Sequence, residues 1–527
     1  MNINTEGGIF MEINKENEYK KATRRAEVYA DSSAEWVLPD YNGDVRKLLL
    51  CDAKLHPTGK FFSDGEAELT GVITYNVIYS DPDGRLDSTS FTSEYEYKVK
   101  CSKEAYVDCI ADTRIANVSV RLIGPRKISV RASVAGCVTV IEEASVTVDA
   151  DLSASGFVPE LATERLSVRN TVASESVERE FSETIASLDG AIADEVKVLY
   201  SGADFEFSGS SFADGDLSVS GELTVFVIVT VGDNGTSVYE KTIPIDATVP
   251  FDEASADMTF IPSVSVVSLK ESITPTENGS DILLSATVEF SAIAEGNSDL
   301  EAVCDAYTKE CVSESTYDDF AYSRFVAIAT LDESVEGSVA RSELDSDGVR
   351  EILVASARGK IDSCELVSGT ARIFGEIKFN MIASDVDESG KLTYFPVKFS
   401  TEFNKNVNLD CQINDKMHIE PKIYLSDVRG YLDAENVFGS AKVHVFAPII
   451  SSESERVLAT FAVREDLPFE KRGSRISVYY PSEGESLFSV AKKFHTTSLK
   501  VALDNSLSEA ASAGEKSALD AKKLMIF

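Results

Sequence analysis

A chain of 527 residues, 43% hydrophobic and 26% charged, is too long for a single core and predicts three or four folded domains. Its 50 Lys and Arg stand against 88 Asp and Glu, a net charge of −38, which makes phosphate backbones and anionic lipid poor partners. Basic proteins, or plain solubility, fit that charge better. The opening stretch "MNINTEGGIFMEINKENEYKK" has no apolar h-region of a secretory signal, and no segment has the apolar length to cross a bilayer. Cys51, Cys101, Cys109, Cys137, Cys304, Cys311, Cys364 and Cys411 are scattered with no C-x-x-C pair, so reduced thiols and a cytoplasmic setting are expected.

In chain order, residues 1–18 read as a tail, followed by a pattern that occurs three times. Gly65 and Gly71 stand six apart in "DGEAELTGVITYNVIY"; Gly215 and Gly221 repeat this in "DGDLSVSGELTVFVIV", and Gly369 and Gly375 in "SGTARIFGEIKFNMIA". The offsets are 150 and 154 residues. Each alternating segment runs into a turn, Asp83-Gly84, Asn234-Gly235 or Ser389-Gly390, of the type that accepts the positive φ angles of a tight hairpin. A second alternating strand follows each turn, and the longest apolar run, "LTVFVIVTV" from Leu223, suits a buried strand. Short helices are expected at "NGDVRKLLL" from Asn42 and "DGVREILVA" from Asp347. The expected fold class is mainly β: three tandem antiparallel, sandwich-like domains over 19–165, 166–315 and 316–472, then a small βααβ module over 473–527.

Two stretches of the first repeat, "VLPDYNGDVRKLL" from Val37 and "RLIGPRKISVRASV" from Arg121, resemble the signature segments of the SPOCS domain, with Gly43 and Gly124 where that family often has proline and asparagine. The second and third repeats keep the glycine frame but not these signatures. The resemblance implies a protein of endospore-forming bacteria engaged in spore-coat assembly.

The tail from Ser474 begins with a strand-forming run at 476–480 and a turn at 481–485 containing Gly484. Ser486 is placed to cap a helix whose Leu487, Val490, Ala491 and Phe494 share one face. Thr497 or Ser498 caps a second helix with Leu499, Ala502 and Leu503 inward, and "KKLMIF" closes the chain as a strand. This order, with Gly484 to Phe494 as its core, resembles a LysM module, a family that binds N-acetylglucosamine polymers such as peptidoglycan and sometimes proteins. Carried over from that family, the binding groove falls on Glu483, Gly484, Glu485, Ser486 and Asn505. The opposite wall is altered, with the long "SLSEAASAGEKSALDA" loop and Ala521 in place of glycine. The module holds 7 basic and 6 acidic residues, leaving −39 on the rest, so exposed Lys492 and Lys493 are candidates for an acidic partner.

Chemistry is not legible. His56, His418, His444 and His495 form no metal-ligand spacing, and no nucleophile elbow or phosphate-cradling glycine loop occurs. Asp81, Asp83 and Asp87 imitate a calcium loop, but Thr92 stands where the closing Glu belongs, so a solvated hairpin tip is the reading. In "GPRKISVR" the alternation places Arg126, Ile128 and Val130 on one face, read as part of a solvated strand edge. No catalytic residue, metal or cofactor is expected. Tandem SPOCS-like units ending in a LysM-like module match the plan of the SipL-like family. That plan implies a non-enzymatic coat assembly protein on the mother-cell side of the forespore, docking to a SpoIVA-like coat morphogenetic ATPase. The alternative is a peptidoglycan-binding protein using the tail groove.

Overall fold

The computed structural model describes residues 17–24, 28–56, 58–103, 107–151, 157–232, 235–346, 348–387, 390–470, 476–507 and 523–527. It is mainly β, with two α-helices among these residues, both in the tail. No helix among them is long and apolar enough to cross a membrane.

The first unit comprises β1 (Asn17–Arg24), β2 (Val28–Val37), β3 (Lys47–Leu55), β4 (Gly59–Ser63), β5 (Glu66–Ser80), β6 (Leu86–Lys100), β7 (Val107–Gly124) and β8 (Lys127–Val146). One sheet sets β8 between β7 and the β1/β2 pair; the other sets β5 between β3/β4 and β6. Their inner faces share one core, with Ile128, Val130 and Val134 of β8 meeting Leu69, Ile73 and Tyr75 of β5. After β9 (Asp149–Asp151), the second unit repeats the plan with β10 (Glu160–Ala173), β11 (Val177–Asp189), β12 (Val196–Ala213), β13 (Asp216–Val231), β14 (Thr236–Pro250), β15 (Thr259–Pro275) and β16 (Gly279–Tyr307). The third does so with β17 (Cys311–Ala340), β18 (Glu351–Val367), β19 (Thr370–Val386), β20 (Leu392–Asn408), β21 (Met417–Ile419), β22 (Lys422–Leu432) and β23 (Asn436–Pro468). In each unit the final long strand is central to one sheet and the strand of the glycine frame is central to the other.

The glycine frame has a physical cause. Gly65, Gly215 and Gly369 each follow a residue that also has positive φ (Asp64, Asp214 and Ser368), and each pair forms a two-residue hairpin between strands in register. Gly71, Gly221 and Gly375 lie six residues further on, mid-strand. A Cβ there would come closer than 3.0 Å to an aromatic ring of a neighbouring strand: Tyr95, Phe205 and Phe403 respectively. The rings lie over the bare backbone and fill the space that a side chain would take.

The expected helices at Asn42 and Asp347 are absent as helices: residues 40–46 form a turn and an irregular stretch leading into β3, residue 347 lies outside the described residues, and β18 starts at Glu351. A β-bulge explains the misreading. Register slips between Leu48 and Leu50, so consecutive Leu49 and Leu50 are both buried; with Val45 they imitate helical spacing. The same slip occurs between Val198 and Tyr200, and between Ile352 and Val354.

Those bulges join the units. Leu49, Leu50 and Ile78 of the first unit meet Leu199, Tyr200 and Ile228 of the second and Leu353, Val354 and Ile382 of the third in one buried cluster. These residues keep the 150 and 154 offsets of the glycines, so equivalent positions of three copies converge around a pseudo-threefold centre. A second three-way cluster joins Tyr19 and Val146, Leu166 and Leu300, and Phe320 and Val457. Polar contacts complete the closure. Lys47 pairs with Asp345 at 2.8 Å, and Lys197 with Asp87 at 2.5 Å. Burial alone would raise the Asp87 pKa, but Lys197 and the Ser88 and Gly43 amides outweigh it and hold the carboxyl below its usual value. At the second junction Arg169 (β10) binds Glu295 (β16) through Nε at 2.9 Å and Nη2 at 2.6 Å, and Glu420 of the third unit at 3.1 Å, all three buried.

The first unit's two signature stretches meet in space. Leu38 and Val45 donate backbone bonds to the carbonyls of Arg126 and Pro125, while the Arg126 guanidinium donates to the Leu38, Pro39 and Asn42 carbonyls and to Asp44. Arg126 therefore locks the 38–44 turn onto β8. The sequence reading of a solvated edge is corrected, because β8 has neighbours on both sides and Ile128 and Val130 are fully buried. All eight cysteines are unbridged. Burial pushes the Cys51 thiol up to about 12 and that of Cys109 up to about 11, which disfavours the reactive thiolate.

Candidate functional site

The tail folds in the expected order. β24 (Ser477–Tyr479) pairs antiparallel with β25 (Leu524–Ile526), and between them lie α1 (Leu487–Phe494) and α2 (Ser498–Asp504). Ser486 caps α1 by accepting from the Ser489 amide, and Thr497 caps α2 by accepting from that of Lys500. Gly484 takes φ +80°, the left-handed turn its position requires. Leu487, Val490 and Ala491 are buried as expected and Phe494 is half-buried, packed edge-on against Tyr479. The α2 assignment is corrected: Leu499 and Leu503 are exposed, and Ser498, Val501 and Ala502 face inward. That inward set spans a single turn, too short for periodicity to single out.

Most of the groove residues are committed to holding the module together. Glu485 accepts from Tyr479 Oη at 2.9 Å and from the Ser482 amide at 2.9 Å. Ser486 is spent on its cap. Asn505 donates to the Val501 and Met525 carbonyls at 2.8 and 2.7 Å and accepts from the Met525 amide at 2.6 Å, tying the end of α2 to β25. Glu483 and Gly484 remain exposed. The altered opposite wall, 508–522 with Ala521, lies outside the described residues. Replacing Asn505 with alanine is expected to lower the module's stability by about 1 kcal/mol, because the exposed Met525 groups exchange side-chain partners for water. Faster amide exchange at Met525 and Ile526 checks it.

The two lysines separate. Lys493 is exposed and lies 4.6 Å from the centre of the Tyr479 ring, with Nζ donating to Tyr479 Oη at 3.1 Å. Lys492 instead reaches both carboxylate oxygens of Asp305 on β16 at 2.7 Å. It belongs to a docking face that sequence could not reveal, because its partner is 187 residues away. On the same face Tyr307 packs edge-on against Phe488 with centroids 5.0 Å apart and donates to the Thr496 carbonyl at 2.6 Å. Phe469 stacks on His495. The module is thereby seated on the second unit. Lys492→Glu is expected to loosen this seat while leaving both helices formed, since the caps and inner face are untouched. Hydrogen exchange should rise at Thr496 and along the end of β16, with helical circular dichroism unchanged. Unchanged exchange would mean that the aromatic contacts hold the module alone.

Among the described residues, the two-stranded sheet of the module carries an exposed apolar face. Val478 and Met525 are cross-strand partners and both exposed, flanked by Ile476, Tyr480 and Phe527. No family model matches the chain, and no curated protein matches it. Among solved structures, the crystal structure of a lipopolysaccharide binding protein is similar at 8% identity over 50% of this chain and 91% of that chain, with a TM-score of 0.09, a likeness that carries no argument.

Proposed function

We propose that the chain is a non-enzymatic assembly protein of the spore coat, acting in the mother cell at the forespore surface. In this reading three SPOCS-like units form a rigid base, and the LysM-like module seated on them docks a coat morphogenetic protein of the SpoIVA type. The observation that carries it is the seating: Lys492, Phe488 and His495 hold one face of the module against the base, and the exposed strand face around Val478 and Met525 points away from its packed helices. A weak docking face on a rigid base gains strength when its partner is polymerised, because linked sites raise the effective concentration. The peptidoglycan reading has less support, since Glu485, Ser486 and Asn505 are bound within the module.

The test is a pull-down from sporulating cells with the full chain and with a chain ending at Gly473, beside a pelleting assay on insoluble peptidoglycan. The full chain should retain the coat ATPase and the shortened chain should lose it, with neither pelleting. Equal retention by both would remove the module from the function, and pelleting that depends on the module would favour the glycan reading.

A further inference from the structure

Two cavities line the second unit where its neighbours close on it. The first, of about 560 Å³, lies between the outer face of the first unit's β3–β5–β6 sheet and the β12 and β15 edge of the second. Its lining mixes Asn76, Ser90, and His56 bound to Thr74 at 2.7 Å with Trp36, Leu199 and Leu269. The second, of about 360 Å³, is apolar and is built by all three units: Leu55 of the first, Phe205, Phe207 and Val264 of the second, and Tyr424 and Phe446 of the third. The two share Lys54 and Val266 as lining residues, so the polar and the apolar compartment adjoin at these side chains.

Lys54 stands at the junction, half-buried, in a chain of net charge −38, yet among the described residues it has no carboxylate partner within ion-pair distance and no hydrogen bond. Its Nζ lies 5.6 Å from the centre of the Tyr200 ring. Other polar groups of the two compartments have partners: Lys197 pairs with Asp87, Ser201 donates to Glu271, which keeps its negative charge, and His444 bonds Ser426 at 2.7 Å. Asp204, in the apolar compartment, receives the backbone N–H groups of Asp427 and Val428; burial nonetheless pushes its pKa up to about 6, which reduces its charge near neutral pH.

We propose that this space binds an anionic amphipath, a medium-length acyl chain bearing a carboxylate. The tail lies among Phe205, Phe207, Tyr424 and Phe446, and the carboxylate takes Lys54 as its counter-ion with Asn76 as a further donor. An apolar pocket with one placed charge is the usual build of a small-molecule site. This binding is independent of the docking module.

Trp36 is the sole tryptophan and lines the polar compartment, so its fluorescence reads occupancy without a label. The full chain is titrated with hexanoate, octanoate, decanoate and dodecanoate, then with decyltrimethylammonium and maltose. Saturable change with the carboxylates is expected, tightening by about fourfold per added methylene until the apolar compartment is filled. Lys54→Gln should weaken decanoate binding by about tenfold, the scale of one charge-assisted contact, with an unchanged circular-dichroism spectrum. Absence of a saturable response to every carboxylate overturns the proposal. So does full decanoate affinity in the variant, or equal binding of the cationic analogue or of maltose. The chain-length series needs no substitution and stands even if the variant fails to fold.

Discussion

Arg169→Met is expected to destabilise the protein by about 3–5 kcal/mol, whereas Glu420→Gln should cost about 1 kcal/mol or less. The asymmetry follows from the charge count of the buried triad. Arg169 binds two carboxylates, and Thr171 Oγ1 donates to Glu295 at 2.8 Å, so removing the guanidinium takes away the cation that both buried carboxylates share, while Glu420 keeps the His418 imidazole at 3.4 Å. Replacing Glu420 leaves a neutral bidentate Arg169–Glu295 pair and keeps an oxygen acceptor facing Nη2. Burial alone would lower the arginine's pKa, but the Glu295 and Glu420 carboxylates outweigh it and raise it above its ordinary value, so the cation persists at every accessible pH. Denaturant unfolding of the two variants measures the difference. Equal costs would mean that the triad is not the pin between second and third units.

The second large effect is expected at the glycine frame, and it is graded. Gly221→Ala and Gly375→Ala each drive a Cβ into an aromatic ring and also into a backbone carbonyl, of Glu206 and Lys360 respectively. The backbone oxygen cannot swing away, so each change should cost about 3 kcal/mol, the upper part of the overpacking range. At Gly71 the three atoms nearest to the added Cβ all belong to the Tyr95 side chain, which can shift, and about 1 kcal/mol is expected. Tyr95→Ala in the Gly71→Ala background should then show less than the sum of the single costs. Equal effects at all three glycines would refute the backbone argument.

These cases show what the sequence could and could not convey. The three-fold repeat was legible because positive φ at Gly65, Gly215 and Gly369 and the ring contacts of Gly71, Gly221 and Gly375 demand a residue without a side chain, and such demands leave a periodic trace. The caps of the tail were legible because Ser486 and Thr497 act on residues three positions ahead. The bulges at Leu49 and Leu353 were misread as helix because an inserted residue breaks the two-residue alternation, and only the neighbouring units explain why consecutive residues are buried. The seat of the module and the Arg169 triad were illegible for a different reason. Asp305 and Lys492, or Arg169 and Glu420, are ordinary surface residue types far apart in the chain, and nothing local distinguishes them from solvated charges.

The bulge cluster also sets a schedule for the nascent chain. Leu49, Leu50 and Ile78 leave the ribosome early, yet the third part of their apolar contact, Leu353 to Ile382, is made roughly 300 residues later. At roughly 5–20 residues per second that is a wait on the order of 15–60 s, with a greasy sheet face uncovered beside strands that resemble their own successors. Slowing elongation within the third unit should therefore raise aggregation more than the same pause placed in the tail.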